Sequence, residues 1–325
     1  MKAIHVTELT GPQDVALVDV EQPTPGPGQV LIKVAHAGVT FPELLQTRGM
    51  YQVKHDLPFT LGSEASGVVA AVGEGSQFSV GDRVAAITGK GAFAEYLVAD
   101  DIRTLKLPDE VSLAAAAGMP MNLLTAEFTL RGRARLQPGQ TLLVHGAAGG
   151  LGSALVQLGL AMGAEVIGVV STEEKAQVVR DLGAHHVVMA EGFKDAVKEI
   201  YPKGVDFVAD PVGGDRFTDS IRCLARFGQV LVLGFTAGDI PTVKVNRLLL
   251  NNVSVSGVGW GAATVGNDGM VHEQWETMTE YLKAGKLDPH VHGHYPLENA
   301  AEAIAVLDDR AVLGKVLLDV DTELV

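Results

Sequence analysis

A chain of 325 residues, 47% apolar and carrying 38 glycines, has enough material for two domains and describes a globular protein with many tight turns. Its formal net charge of −14 argues against a nucleic-acid or anionic-membrane surface, because phosphate-bearing partners call for clustered Lys and Arg. No basic, apolar leader is read at residues 1–6, and the longest apolar stretch, 154–170, is cut by Glu165 well short of a membrane span, so the expectation is a cytoplasmic protein with no membrane partner. The single cysteine, Cys223, excludes an internal disulfide and a cysteine-built zinc site; in a helix-patterned stretch it reads as a small buried apolar residue.

Over residues 1 to about 100, short runs of alternating apolar and polar residues are separated by glycine and proline, at 16–20, 29–35, 66–73, 82–87 and 93–98. This spacing predicts a β-rich domain, a partly open barrel. After Pro108 the composition shifts to alanine at 114–117, then to a helical pattern through Leu130, the approach to a second domain. From Gln140 to about Gly257 strands and helices alternate, with later strands at 187–188, 205–209, 229–233 and 252–256, which predicts a doubly wound parallel sheet. The tail carries an amphipathic helix at 273–284, a second helix at 297–307 and a strand at 315–319 that returns to the first domain. The expected division is 1–120 with 259–325 in one domain and 121–258 in the other. Residues 248–256 read as an apolar strand at the edge of the sheet, a liability unless covered, and the expectation is a homodimer.

The most informative stretch is 141–171. Leu142, Leu143 and Val144 form a buried-strand run, Gly146, Gly149, Gly150 and Gly152 allow a sharp turn, and Leu155, Val156, Leu158, Gly159 and Met162 recur at helical spacing before a second strand at 165–171. Strand, glycine turn, helix and strand in that order form the unit that seats a dinucleotide pyrophosphate on a helix N-terminus, with Gly149, Gly150 and Leu151 offering backbone N–H groups. An acid at the tip of the second strand would select NADH; here Ser171 and Thr172 stand there, with Lys175 about one helical turn on, which favours NADPH over NADH. A capping hydroxyl followed by a solvated first turn is the alternative, and Glu173 and Glu174 weaken the phosphate argument. Gly234 and Phe235 fall at the carboxyl edge of the sheet, where ligands bind in such folds. His290, His292 and His294 would share one strand face and offer metal ligands, but with no acidic or cysteine partner in view they read as a polar strand edge. His145 and the pair His185 and His186 read as structural.

Several motifs together resemble the medium-chain dehydrogenase/reductase superfamily, in its zinc-free quinone oxidoreductase (zeta-crystallin-like) branch: Ala37-Gly-Val-Thr-Phe-Pro-Glu-Leu-Leu45, Gly62-Ser-Glu-Ala-Ser-Gly-Val-Val-Ala-Ala-Val-Gly73 with Gly81-Asp-Arg-Val84, Ala147-Ala-Gly-Gly-Leu-Gly152, Asp210-Pro-Val-Gly-Gly214 and Gly314-Lys-Val316. The resemblance spans nearly the whole chain and implies an α/β architecture, a Rossmann doubly wound parallel sheet plus a β-rich GroES-like domain. It also implies where zinc-dependent relatives carry their catalytic metal; the matching residues are Thr40, Ser63 and Met121, which are no competent zinc ligand set. Without a Lewis acid, an electron-poor acceptor is the better substrate, and the expected function is hydride transfer from NADPH to a quinone or an α,β-unsaturated carbonyl. An enoyl-thioester reductase and a cofactor-binding protein without turnover are the alternatives. The resemblance implies catalytic positions at Thr40, where the family usually has asparagine, and at Tyr51, otherwise a wall residue, with Glu43 where the family has aspartate. It places Asn122 and Thr125 toward the nicotinamide ribose and Val258 and Gly259 toward the nicotinamide amide. Lys315 has two readings, a cofactor contact or a solvated turn residue, and Ala190 stands where the family often has a tyrosine.

Overall fold

In the computed structural model, which describes residues 1–309 and 311–324, the alternating segments of the first hundred residues become strands. These are β1 (Lys2–Val6), β2 (Val15–Asp19), β3 (Gln29–Val39), β4 (Phe59–Thr60), β5 (Glu64–Val72), β6 (Arg83–Ile87), β7 (Tyr96–Asp100) and β8 (Thr104–Lys106). The later strands are β9 (Thr141–His145), β10 (Glu165–Val170), β11 (His186–Met189), β12 (Val205–Asp210), β13 (Leu224–Val232), β14 (Ser254–Gly257), β15 (Val291–Pro296) and β16 (Lys315–Asp319). The helices are α1 (Phe41–Thr47), α2 (Leu113–Ala117), α3 (Pro120–Glu127), α4 (Gly150–Ala161), α5 (Glu173–Asp181) and α6 (Phe193–Ile200), followed by α7 (Phe217–Cys223), α8 (Asn246–Asn251), α9 (Trp260–Ala263), α10 (Met270–Lys283) and α11 (Ala300–Ala305). Among the described residues no helix is long and apolar enough to cross a membrane.

The chain divides into two compact units, Met1–Asn122 with Asp268–Val325, and Leu123–Asn267. The first is built around β3. This long strand pairs with β5 over most of its length, with β7 along its first half and with β16 along its second, giving the order β15-β16-β3-β5-β6-β8 with β7 added to β3. One strand serving three neighbours curls the sheet into a GroES-like barrel, and two register shifts on β3, at Leu31/Ile32 and Val34/His36, supply the bend. A second sheet, β2-β1-β4, packs into the same core, where Ile4, Ile32, Val34, Leu44, Leu61 and Phe93 are buried together. The strand expected at 93–98 starts only at Tyr96, because Phe93 is taken by backbone bonds to Ile4 and Leu61 and fills this core.

The second unit is an all-parallel sheet in the order β11-β10-β9-β12-β13-β14. Relative to its first strand this is 3-2-1-4-5-6, the doubly wound Rossmann order with its switch point between β9 and β12. All five residues of β9 are buried, as expected of a parallel strand covered on both faces. Cys223 lies in this unit's core, fully buried, and burial pushes its thiol up to about 12, so it is an inert packing residue.

The apolar run 248–256 departs from its expected form. It is not one strand: α8 takes Asn246–Asn251, Asn252 closes that helix in a left-handed conformation (φ 51°), and only β14 is a strand. Three consecutive leucines carry no alternation, so their pattern fits a helix turn as well as a strand. β14 nevertheless forms the sheet edge. The return to the first unit, expected at residue 259, falls at Asp268; Val258 stays with β13 through its N–H bond to the Val232 carbonyl (2.9 Å), and Gly259 caps α9.

Candidate functional site

In the unit Leu123–Asn267 the candidate groups around the glycine turn are backbone. β9 ends at His145, Gly146 turns the chain at φ +59°, and α4 starts with Gly149 as its N-cap and no side chain capping it. A side chain at Gly152 would place its Cβ 2.0 Å from the Gly146 carbonyl oxygen, so the turn closes only with glycine there. The result is a tight cradle with the N–H groups at the start of a twelve-residue helix, at Gly150 and Leu151, aimed outward, which fits a dinucleotide pyrophosphate. At the end of the neighbouring β10, Ser171 and Lys175 come together, with the ammonium 3.4 Å from the serine hydroxyl. Thr172 caps α5 by accepting from the Lys175 N–H, so the capping role falls on Thr172 and leaves Ser171 beside the ammonium. Glu173 is drawn to Arg180 at 2.6 Å, which offsets part of the negative charge beside Lys175.

The loops after β12 and β13 continue this edge. Asp210 accepts from the N–H groups of Val212 and Gly213 (both 2.9 Å), and a Cβ on Gly213 would come within 3.1 Å of the Phe235 ring. Gly234 and Phe235 therefore sit with Gly213 beyond the carboxyl ends of β12 and β13, and Val258 and Gly259 follow β14 on the same edge. Thr125 lies three residues after Asn122 on α3, so the two share a helix face. His145, just before the turn, is buried with its Nε2 2.8 Å from the Ser220 hydroxyl and its ring edge-on to Phe193; burial pulls its pKa down to about 4, against the opposing charge of Asp210. Its structural reading stands.

In the other unit the site is made of side chains. Thr40 is the N-cap of α1, and the Glu43 carboxyl reaches back to the Thr40 N–H (2.7 Å) while accepting from the Thr40 hydroxyl on the same oxygen, Oε2. Glu43 is fully buried, and its other oxygen, Oε1, has no partner. Burial raises its pKa, the hydroxyls of Ser63 and Thr40 oppose that rise, and the charge of Glu64 adds to it. Half-buried Tyr51 feels the same carboxyl: burial and then the Glu43 charge raise its phenol's pKa. Next in sequence to Ser63, Glu64 holds Lys315 at 2.6 Å through Oε1 and accepts from the Met121 N–H at 2.7 Å through Oε2. Lys315 is 3% exposed and also donates to the Val39 carbonyl (3.3 Å), so the solvated-turn reading is corrected: its ammonium is committed inside the unit.

The Thr40-x-x-Glu43 spacing is a capping-box signature, so Glu43 was within reach of the sequence. Lys315 and Glu64 were not, since the registers of β3 with β5 and β16 bring them together. The three residues at the positions of a catalytic zinc, Thr40, Ser63 and Met121, offer two hydroxyls and a thioether, and Thr40 already bonds a buried carboxyl. That donor set does not fit a catalytic zinc.

Two family models match the chain: an alcohol dehydrogenase GroES-like domain over residues 26–109 and a zinc-binding dehydrogenase over 150–284. Quinone oxidoreductase-like protein 2 of Bos taurus is 37% identical over 307 residues, covering 92% of this chain and 88% of that relative. A mycobacterial protein solved in complex with NADPH superposes with a TM-score of 0.90 at 35% identity, covering 98% of this chain and 100% of the other. The Escherichia coli quinone oxidoreductase, also solved with NADPH, gives a TM-score of 0.90 at 28% identity over 98% and 100% of the two chains.

Proposed function

The chain belongs to the medium-chain dehydrogenase/reductase superfamily, in its quinone oxidoreductase branch, and from that premise we propose that it is a zinc-independent reductase passing a hydride from NADPH to a quinone or an α,β-unsaturated carbonyl. The observation that carries this reading is the fully buried Glu43 carboxyl on the Thr40 hydroxyl, standing where zinc-dependent relatives would need a metal. Bound NADPH supplies the hydride. Gly150 and Leu151 would hold the pyrophosphate through their N–H groups, the Gly149 N–H expected to join them being taken instead by the Gly146 carbonyl (2.9 Å), and Ser171 with Lys175 would take the adenosine phosphate. Asn122 and Thr125 serve the ribose, and Gly234, Phe235, Val258 and Gly259 the nicotinamide end.

A reduced quinone or enone leaves an oxyanion that needs one proton. The Thr40 hydroxyl, which donates to Glu43 in the resting structure, turns to donate to that oxygen and passes its proton on, and the Glu43 carboxyl, whose pKa burial raises, returns a proton to Thr40 from its protonated form. A proton from solvent returns to the fully buried Glu43 by way of Thr40, so hydride and proton together make the neutral product. Tyr51 walls the acceptor. Lys315 acts at one remove, by fixing Glu64 beside Glu43. The exposed edge strand β14 pairs with its twin in a homodimer.

Stopped-flow mixing of the NADPH-loaded chain with 1,4-benzoquinone, 9,10-phenanthrenequinone and a simple enone tests the reading. Oxidation of NADPH by at least one of them is expected. Oxidation only by an enoyl thioester would move the chain to the thioester reductases, and NADPH binding with no oxidation by any acceptor would remove the reductase reading.

A further inference from the structure

The sequence left three alternate histidines, at 290, 292 and 294, without the acidic partner that a metal site needs. The sheet supplies it. β15, β16 and β3 lie side by side, and each contributes one chemistry-bearing residue to the same place: His294, Asp319 and His36. Asp319 stands directly across from His36 in the antiparallel β16/β3 register. On the other side it is paired with Pro296, two residues beyond His294 on the parallel strand β15, so His294 reaches it diagonally.

The side chains converge on one atom. The Nδ1 of His36 and the Nδ1 of His294 each lie 2.8 Å from Oδ1 of Asp319, with the two rings edge to face at 5.9 Å. The three candidate ligand atoms all fall within 4.8 Å of one another. The side chains are graded in exposure, from His36 (11%) through Asp319 (28%) to His294 (43%), so the cluster has a walled side and a side open to water. His292 is excluded from it, because its Nδ1 accepts from the Leu313 N–H at 3.3 Å.

The geometry points to a divalent first-row metal site, for Zn²⁺ or a cation of similar preference, formed by His36, His294 and Asp319, with water at the fourth position. Two imidazole nitrogens and one carboxylate oxygen are the donor set that borderline-soft cations such as zinc, nickel and copper take, and three protein ligands plus one water is a tetrahedral arrangement. Bonds of about 2.0–2.2 Å set tetrahedral ligand atoms roughly 3.3 Å apart. Each 2.8 Å contact therefore opens by about half an ångström, a movement the exposed His294 makes by side-chain rotation. Binding replaces the two Nδ1–H bonds to Asp319 by two metal bonds and moves each imidazole proton to Nε2, with no net proton release from neutral rings. His36 precedes Thr40 by four residues of extended chain, about 13 Å, so the site is separate from the Thr40 and Glu43 pair and takes no part in hydride transfer. Its effect is to clamp the two C-terminal strands to the central strand of the barrel.

The test uses the tag-free full chain, freed of metal by a chelator and dialysed. Isothermal titration with Zn²⁺ is expected to give one equivalent at micromolar affinity and to raise the melting temperature by several degrees. His294→Ala and Asp319→Asn are each expected to weaken binding more than tenfold and to abolish the thermal shift. His292→Ala, one strand position pair away, is expected to retain both. Rates of NADPH oxidation are expected to be the same with and without Zn²⁺ in wild type and in His294→Ala, which separates this site from the reductase reading. Absence of saturable binding in wild type, or binding unchanged in His294→Ala and Asp319→Asn, overturns the assignment.

Discussion

In Leu123–Asn267 the candidate site offers backbone N–H groups that glycine leaves uncovered, whereas in the barrel unit the candidate site offers hydroxyls and carboxyls whose positions depend on other buried side chains. The first arrangement rests on local sequence: the Gly146 turn, the Gly149 cap and α4 follow one another within a few residues. The second rests on long-range register, since Glu64 and Lys315 come from two strands, Ser63 from the residue before one of them and Thr40 from a helix start. A backbone site is sensitive to added atoms, and a side-chain site to lost charges and protons.

The strongest way to probe the side-chain half is to break its buried ion pair. Lys315→Met leaves the Glu64 carboxylate without its cation inside the barrel unit and is expected to cost about 3–5 kcal/mol in urea unfolding, while Lys315→Met with Glu64→Gln regains much of that loss. The backbone half has its own buried liability in His145. Its folded pKa of about 4 lies below the ordinary 6.5, so the unfolded chain binds the extra proton first. Stability is full above pH 6.5 and is lost as the pH falls toward 4, by up to ~3 kcal/mol, and His145→Gln should flatten that slope in denaturation series across the window.

Smaller effects are expected in turnover. Glu43→Gln preserves shape but cannot cycle a proton, and Thr40→Val removes the donor; each is expected to lower kcat about 10²-fold, or ~2.7 kcal/mol, with little change in the Kd for NADPH. The pair is non-additive if the two act as one relay, and steady-state kinetics of the double variant decide that. The smallest change is at the cofactor's far end. Lys175→Ala is expected to weaken NADPH about tenfold, ~1.4 kcal/mol, and leave NADH unaffected, as read by fluorescence titration.

The same contrast explains what could be read before the fold was known. The strand, glycine turn and helix around residues 141–161 were legible because the residues that make the cradle are neighbours in sequence. Glu43 was legible in principle through the capping-box spacing to Thr40. The Glu64 and Lys315 pair spans 251 residues and the His36 and Asp319 pair 283, and no local period announces either. Residues 248–256 failed for the opposite reason. Their pattern was local, but three leucines in a row satisfy both helix and strand, and the left-handed Asn252 that divides them carries no signal beyond its residue type.

The central claim is that a buried carboxyl and a threonine hydroxyl do here what a metal does in zinc-dependent relatives. It is tested most directly by measuring NADPH oxidation by 1,4-benzoquinone after exhaustive chelation, in wild type and in Thr40→Val. The account predicts an unchanged wild-type rate, a rate about 10²-fold lower in Thr40→Val, and no response of either to added Zn²⁺. Turnover that disappears on chelation and returns with Zn²⁺ would contradict it.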